Sequence, residues 1–193
     1  CIRLYAQEDF QQRPLFLEPE LLRSHLAEVI LRMQALHLGD IEAFDFLDPP
    51  QRQSVRDGLQ LLQELGALTA QGELTEMGQQ LAQLPLEPRL GRILLEARRR
   101  HVLREGLILA AALSLPDPRE RPFNQLAAAD LQHQQFFLKE DKSDFRGLLR
   151  LWDFWQTHQT ALSHGQQRKL CQRLFLSYSR LREWQAVRQQ LEE

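Results

Sequence analysis

Ser114-Leu-Pro-Asp-Pro-Arg-Glu-Arg-Pro122 sets three prolines and two arginines in one short stretch between segments of helical apolar spacing. Each proline fixes its own φ and biases the preceding residue away from the α region, so the apolar helix that ends near Leu113 cannot run through it. The stretch is expected to be a stiff, extended connection. Stiffness lowers the entropy of holding Arg119 and Arg121 at defined positions, which suits guanidinium groups that meet carboxylates or phosphates. The same residues also read as a plain helix-helix linker with a local Arg-Glu pair.

Almost everything on either side of it is helical in pattern. Upstream, Leu103 to Leu113 is an apolar helix, and Pro88 opens another through Arg100, with Leu90, Ile93, Leu94 and Ala97 expected inside and Arg98-Arg99-Arg100 offsetting the dipole at its end. Pro19 to Leu36 carries Leu22, Leu26, Val29, Ile30 and Met33 at helical spacing, with Gly39 as the expected stop. Pro49-Pro50 precede a helix striped by Val55, Leu59, Leu62 and Leu65 that Gly66 is placed to terminate. Ala67 to Thr69 and Glu73-Leu74 read as two very short strands of a hairpin around Ala70-Gln71-Gly72, and Thr75 can cap a short helix ending near Leu84. Helix, hairpin and helix in this order predict a winged-helix module.

Downstream, a helix is expected over Leu126 to Leu138. Another, capped by Ser143 or Asp141, has Phe145, Leu148, Leu149, Trp152 and Trp155 on one face, and a last runs from about Leu174 to Leu191 with Tyr178, Leu181, Trp184 and Val187. The fold class is therefore mainly α: a winged-helix module with a short β-hairpin, then a helical bundle whose aromatic stripes are core.

The composition, 43% hydrophobic and 26% charged over 193 residues, is that of a globular chain. No apolar run approaches the roughly 20 residues of a membrane span, and Cys1 and Cys171 make no disulfide framework, so a cytoplasmic protein is expected with no membrane partner. An opening at Cys1, inside an apparent strand Cys1-Ile-Arg-Leu-Tyr5, implies a piece of a longer protein. The net charge of -2 conceals an asymmetry: residues 1–88 hold 6 Lys and Arg against 14 Asp and Glu, and residues 89–193 hold 18 against 12. A polyanion is repelled by the first part and attracted by the second.

Catalytic readings fare poorly. The six histidines include no pair at ligand spacing on one helix face, Cys171 has no thiol partner nearby, and no Gly-x-Ser-x-Gly turn presents a nucleophile. No metal site and no catalytic residue is assigned. Glu140-Asp141 are adjacent and suit solvent.

Several blocks, in order, resemble the helicase-associated region of DEAH-box RNA helicases, most closely the bacterial HrpA type. They are Asp117-Pro-Arg-Glu-Arg-Pro122, Lys142-Ser-Asp-Phe145, Leu149-Arg-Leu-Trp152, Cys171-Gln-Arg173 and Arg180-Leu-Arg-Glu-Trp184. Upstream, Leu38-Gly-Asp40, Phe44-Asp-Phe46, Leu61 to Leu68 and Leu74-Thr-Glu-Met-Gly78 resemble the winged-helix block that precedes it in that family. The resemblance implies a remnant of the second RecA-like motor lobe at residues 1–18, a winged helix at 19–88 and a ratchet-like helical bundle at 89–193.

Neither a Walker loop ending in Gly-Lys-Ser/Thr nor an Asp-Glu-Ala-His motif occurs in this sequence, so the fragment itself needs no cofactor and is not an autonomous ATPase. ATP and Mg belong, by the resemblance, to the parent helicase. There the bundle lines the channel for single-stranded RNA and couples lobe movement to 3' to 5' translocation, with the motor lobes and an oligonucleotide-binding fold of the parent chain as partners. Arg119, Arg121, Lys139, Lys142 and Arg146, clustered around the linker and the start of the Trp-bearing helix, are the RNA-binding candidates. Two other readings stand: a protein-interaction scaffold, and a winged-helix regulator of nucleic acid, against which Pro49 to Leu74 offers only Arg52 and Arg56 as cations.

Overall fold

Apolar residues at three- and four-residue spacing become nine α-helices among the described residues, and no strand forms among them. The computed structural model describes Ala6 and residues 26–192, which fall into two units, Cys1–Ala82 and Gln83–Glu193. The motor-lobe remnant expected at residues 1–18, the strand Cys1 to Tyr5 and the first residues of the helix expected from Pro19 lie outside the described residues.

In the first unit, α1 (Leu26–Ala35) packs against α2 (Arg52–Glu64). Gly58 sets how closely they meet, because a Cβ there would lie 2.8 Å from Ile30 Cδ1 and 3.1 Å from the Ala27 backbone nitrogen. Leu26, Ile30, Leu31 and Met33 from α1 and Val55 and Leu62 from α2 are buried in the resulting core with Ile41, Ala67, Leu68 and Leu81. Gly39 is not the stop of α1. The chain turns two residues earlier, at His37, whose φ is 54°: His37 N–H donates to Gln34 O and Leu38 N–H to Met33 O, the paired bonds of a Schellman cap with a histidine in the glycine position. Gly66 closes α2 in the same way at φ 72°, with Ala67 N–H donating to Leu62 O.

The expected hairpin is reduced to a single antiparallel bridge, Leu68 to Leu74. Thr69 N–H donates to Glu73 O and Thr75 N–H to Ala67 O, but the chain has only these few residues before the next helix begins, too few for a ladder. Thr75 is drawn away from strand geometry by its hydroxyl, which donates to Gly66 O at 2.6 Å and accepts from Gly78 N–H at 3.0 Å, capping α3 (Glu76–Gln83).

In the second unit, α4 (Pro88–Arg99) packs on α5 (Leu103–Leu113), and Gly106 admits Ala97, whose Cβ would lie 2.5 Å from a Cβ at that position. The two faces of α5 serve two clusters: Leu107 and Ala110 meet Leu86, Leu90 and Leu94, while Ile108, Ala111 and Ala112 meet the aromatic core. Ile93, expected inside, is 42% exposed, since α5 covers only the Leu90, Leu94 and Ala97 stripe of α4. The arginine run after it is engaged locally: Arg99 and Arg100 each approach Glu96 at 2.6 Å, and their hydrogen bonds hold its carboxyl down at about 2.

The helix expected over Leu126 to Leu138 ends sooner. It is α6 (Leu126–His133), after which the chain bends so that Phe136 enters the core and His133 Nε2 bonds Phe175 O at 2.9 Å. α7 (Asp144–Ala161) buries Leu148, Leu151, Trp152 and Trp155, but Phe145, in its first turn, is 49% exposed rather than part of that face. Ser143 occupies the cap position without a side-chain bond to the helix.

An unexpected helix, α8 (His164–Arg173), starts at a capping box in which Ser163 and Gln166 bond each other's backbone. The last helix, α9 (Tyr178–Glu192), begins four residues later than expected because Leu174 to Ser177 is held in a turn against the proline-rich linker. Trp184 of α9 lies 5.2 Å from Trp152, ring centre to ring centre, and donates from Nε1 to Ile108 O. Cys171 is buried here, its thiol pushed up to about 11 by desolvation, consistent with a small apolar core residue.

Candidate nucleic-acid interface

The linker is extended and pinned along its length, which its prolines foreshadow. Arg119 forms an antiparallel bridge with Leu176, Glu120 N–H donates to Phe175 O at 2.8 Å, Ser177 N–H donates to Pro118 O at 2.8 Å, and Arg180 donates to Asp117 O at 2.7 Å. A segment that lies far along the sequence therefore fixes where Arg119 and Arg121 stand.

Arg119 is oriented by three neighbours. Its Nε and NH2 donate to the Asp117 carboxylate at 3.0 and 2.6 Å, NH2 lies 3.7 Å from Asp144 Oδ2, and its Cζ sits 4.0 Å from the centre of the Phe137 ring. Asp117 also accepts from the Arg119 backbone N–H at 2.8 Å, an Asx turn that shapes the linker. Burial alone raises the Asp117 carboxyl, yet the bonds from Arg119 leave it below the usual range; the same pair keeps Arg119 firmly cationic.

Arg121 pairs with Asp130 of α6 at 2.8 Å. Arg146 approaches Asp141 at 3.2 Å, and Arg150 bonds that carboxylate too while donating to Phe136 O at 2.7 Å. Asp141 is thus not a solvated acid, as its adjacency to Glu140 suggests: its side chain is only 9% exposed, and the Arg150 bond foremost holds its carboxyl below the usual range. Lys139 lies in a 3-10 turn (Lys139–Asp141) and Lys142 just beyond it at φ 50°; among the described residues neither makes an ion pair.

A cleft of about 740 Å³ brings part of this set together. Arg119, Arg121 and Lys139 line it, with Asp117, Asp130, Asp144, His133, Gln134 and Phe137; Lys142 and Arg146 stand outside its lining. Three cations therefore face three carboxylates, so the asymmetry of charge along the sequence does not make this cleft strongly positive. Phe137, His133, Asp130 and Asp144 are the members that sequence reading passes over. They carry no local signal: Asp130 and His133 come from α6, Phe137 from the bend after it and Asp144 from the first residue of α7.

Among the described residues no helix is long and apolar enough to cross a membrane.

Comparison with known proteins gives two adjoining family matches: Helicase associated domain (HA2), winged-helix, over residues 58–86, and Helicase associated domain (HA2), ratchet-like, over residues 87–148. Every residue that lines the cleft lies within the second. The chain is 47% identical over 198 residues to the ATP-dependent RNA helicase HrpA of Escherichia coli (strain K12), an alignment spanning 100% of this chain and 15% of that protein. It is 34% identical over 194 residues to the probable ATP-dependent RNA helicase DHX35 of Homo sapiens, across 100% of this chain and 26% of that one. To the pre-mRNA-splicing factor ATP-dependent RNA helicase prp22 of Schizosaccharomyces pombe it is 35% identical over 157 residues, 81% of this chain and 13% of that protein.

Proposed function

This chain belongs with the helicase-associated regions of DEAH-box RNA helicases, and from that premise we propose that its second unit holds single-stranded RNA while the motor lobes of a parent helicase pull on it. The observation that carries the reading is the cleft beside the pinned linker, where Arg119, Arg121 and Lys139 converge inside the ratchet-like match. ATP and magnesium act, in this account, on RecA-like lobes of the parent, and translocation runs 3' to 5'. The bundle breaks no bond. Its part is positional, offering cations to phosphates as RNA passes, with Lys142 and Arg146 extending the track beyond the cleft.

The carboxylates decide how strong that hold is. A phosphate at Arg121 or Arg146 shares the guanidinium with Asp130 or Asp141, whose negative charge offsets part of the gain, whereas among the described residues Lys139 and Lys142 have no ion pair to surrender. Weak holding suits a strand that has to slide. Lys139→Gln with Lys142→Gln is therefore expected to weaken binding of a labelled single-stranded oligonucleotide and to flatten its salt dependence by about 0.7 for each phosphate no longer neutralised, while Arg52→Gln with Arg56→Gln leaves both unchanged. Fluorescence anisotropy across a salt series makes the comparison. Sensitivity at Arg52 and Arg56 instead would favour a winged-helix nucleic-acid regulator.

A protein-interaction scaffold is the second reading, favoured by the exposed apolar residues of the first unit, Leu38, Phe44 and the 98% exposed Leu47. It predicts no salt-dependent RNA binding by the chain.

A further inference from the structure

Arg119 is poorly arranged to grip a phosphate. A phosphate takes a guanidinium by its forked edge, through two parallel N–H donors. In Arg119 the edge formed by Nε and NH2 is already given to Asp117, at 3.0 and 2.6 Å, and Asp144 stands 3.7 Å from the same NH2. A phosphate approaching that edge meets two carboxylates first.

The planar faces are another matter. One lies on Phe137, with Cζ 4.0 Å from the ring centre. Phe137 cannot retreat, because α7 passes directly behind it: a Cβ at Gly147 would lie 2.2 Å from Phe137 Cδ1. Gly147, the Phe137 ring and the guanidinium thus form a layered stack whose outermost member lines the cleft. With one face on Phe137 and one edge given to Asp117, the parts of Arg119 that these partners leave unengaged are its opposite face and the NH1 corner, and 24% of the side chain stays exposed. A guanidinium plane held in that way is a platform for a flat ring, as in proteins that recognise single-stranded RNA through bases stacked on arginine. The cleft, at about 740 Å³, falls in the size range of small-molecule sites.

Building on the RNA reading above, we propose that a nucleobase of the bound strand stacks on the outer face of Arg119, so that this residue contacts a base while neighbouring cations contact the backbone. Asp117 and Phe137 are then positioning residues, one fixing the rotation of the plane and the other supporting it.

Lysine keeps the charge at position 119 and removes the plane, which separates the two roles. Binding is measured for the wild-type chain and Arg119→Lys against a single-stranded RNA and against an oligonucleotide of the same length with abasic sites, each over a salt series. Stacking predicts that Arg119→Lys loses about tenfold on intact RNA with an unchanged salt slope, that wild type loses about as much on the abasic strand, and that the two losses are not additive. Equal binding of intact and abasic strands by wild type, a measurement that needs no variant, overturns the proposal, as does Arg119→Lys binding intact RNA as wild type does. If wild type shows no salt-dependent affinity for either strand, the RNA reading itself falls and this inference falls with it; discrimination lost while affinity remains removes only the stacking.

Discussion

Trp184→Ala is expected to remove a large share of the stability of residues 83–193 and to lower their urea midpoint steeply. The indole is 1% exposed, packs 5.2 Å from Trp152 and donates to Ile108 O across the bundle at 2.9 Å, so its removal leaves a cavity joining three helices and takes one partner from a buried carbonyl. Losing a large aromatic from such a site costs about 3 to 5 kcal/mol, against a total of roughly 5 to 15 kcal/mol for a domain of ordinary stability. Trp152→Ala is expected to cost a comparable amount. Phe123→Ala is the control: at 94% exposure that ring should change stability by less than about 0.5 kcal/mol. Trp152, Trp155 and Trp184 are the three tryptophans of the sequence and all lie in the second unit, so urea denaturation followed by tryptophan fluorescence reports on that unit alone. A midpoint for Trp184→Ala as little shifted as that of Phe123→Ala would mean that the aromatic stripe is not the core.

Gly78→Ala should destabilise the first unit although alanine is the better helix former. The substitution gains about 1 kcal/mol of helix propensity, but its Cβ would lie 2.2 Å from Ala67 O and 2.6 Å from Leu74 Cδ1. Backbone cannot move aside cheaply there, because Ala67 O accepts from Thr75 N–H and Thr75 caps α3. Overpacking of this kind typically costs about 1 to 3 kcal/mol and occasionally more, so steric conflict outweighs propensity and the net effect is a loss of stability. Gly165→Ala, in α8, meets nothing within 4 Å and should be neutral or slightly stabilising. Chemical denaturation monitored by circular dichroism compares the pair; equal, stabilising shifts would show that α3 does not rest on the turn at Ala67.

Helices were legible where their own apolar periodicity decided them. α5 runs from Leu103 to Leu113 as its apolar pattern requires, and the buried Leu90, Leu94 and Ala97 of α4 follow from spacing alone. Elements decided by distant groups were not. α6 stops at His133, whose ring is bonded to Phe175 O, and α9 starts at Tyr178 because the preceding turn pairs with the linker. α8 is largely polar, with buried Gln167 donating to Gln159 O and Leu162 O, so it has no apolar stripe; the capping box Ser163 to Gln166 was the available signal. The interface divides in the same way. Its cations are readable as residue types, and the stiffness of the linker follows from its prolines, but of the groups that hold Arg119 only Asp117 is local: Phe137 comes from the bend after α6 and Asp144 from the start of α7. Charge along a sequence says which half attracts a polyanion and not how much of that charge is already engaged.

Photocrosslinking of a single-stranded RNA bearing 4-thiouridine to the chain, with the modified peptides identified by mass spectrometry, reports directly where RNA sits. Crosslinks concentrated between residues 117 and 146, and diminished as salt is raised, are the outcome predicted for RNA held beside the linker. Crosslinks concentrated between residues 41 and 74, or none above the level of an unrelated globular protein, would contradict it.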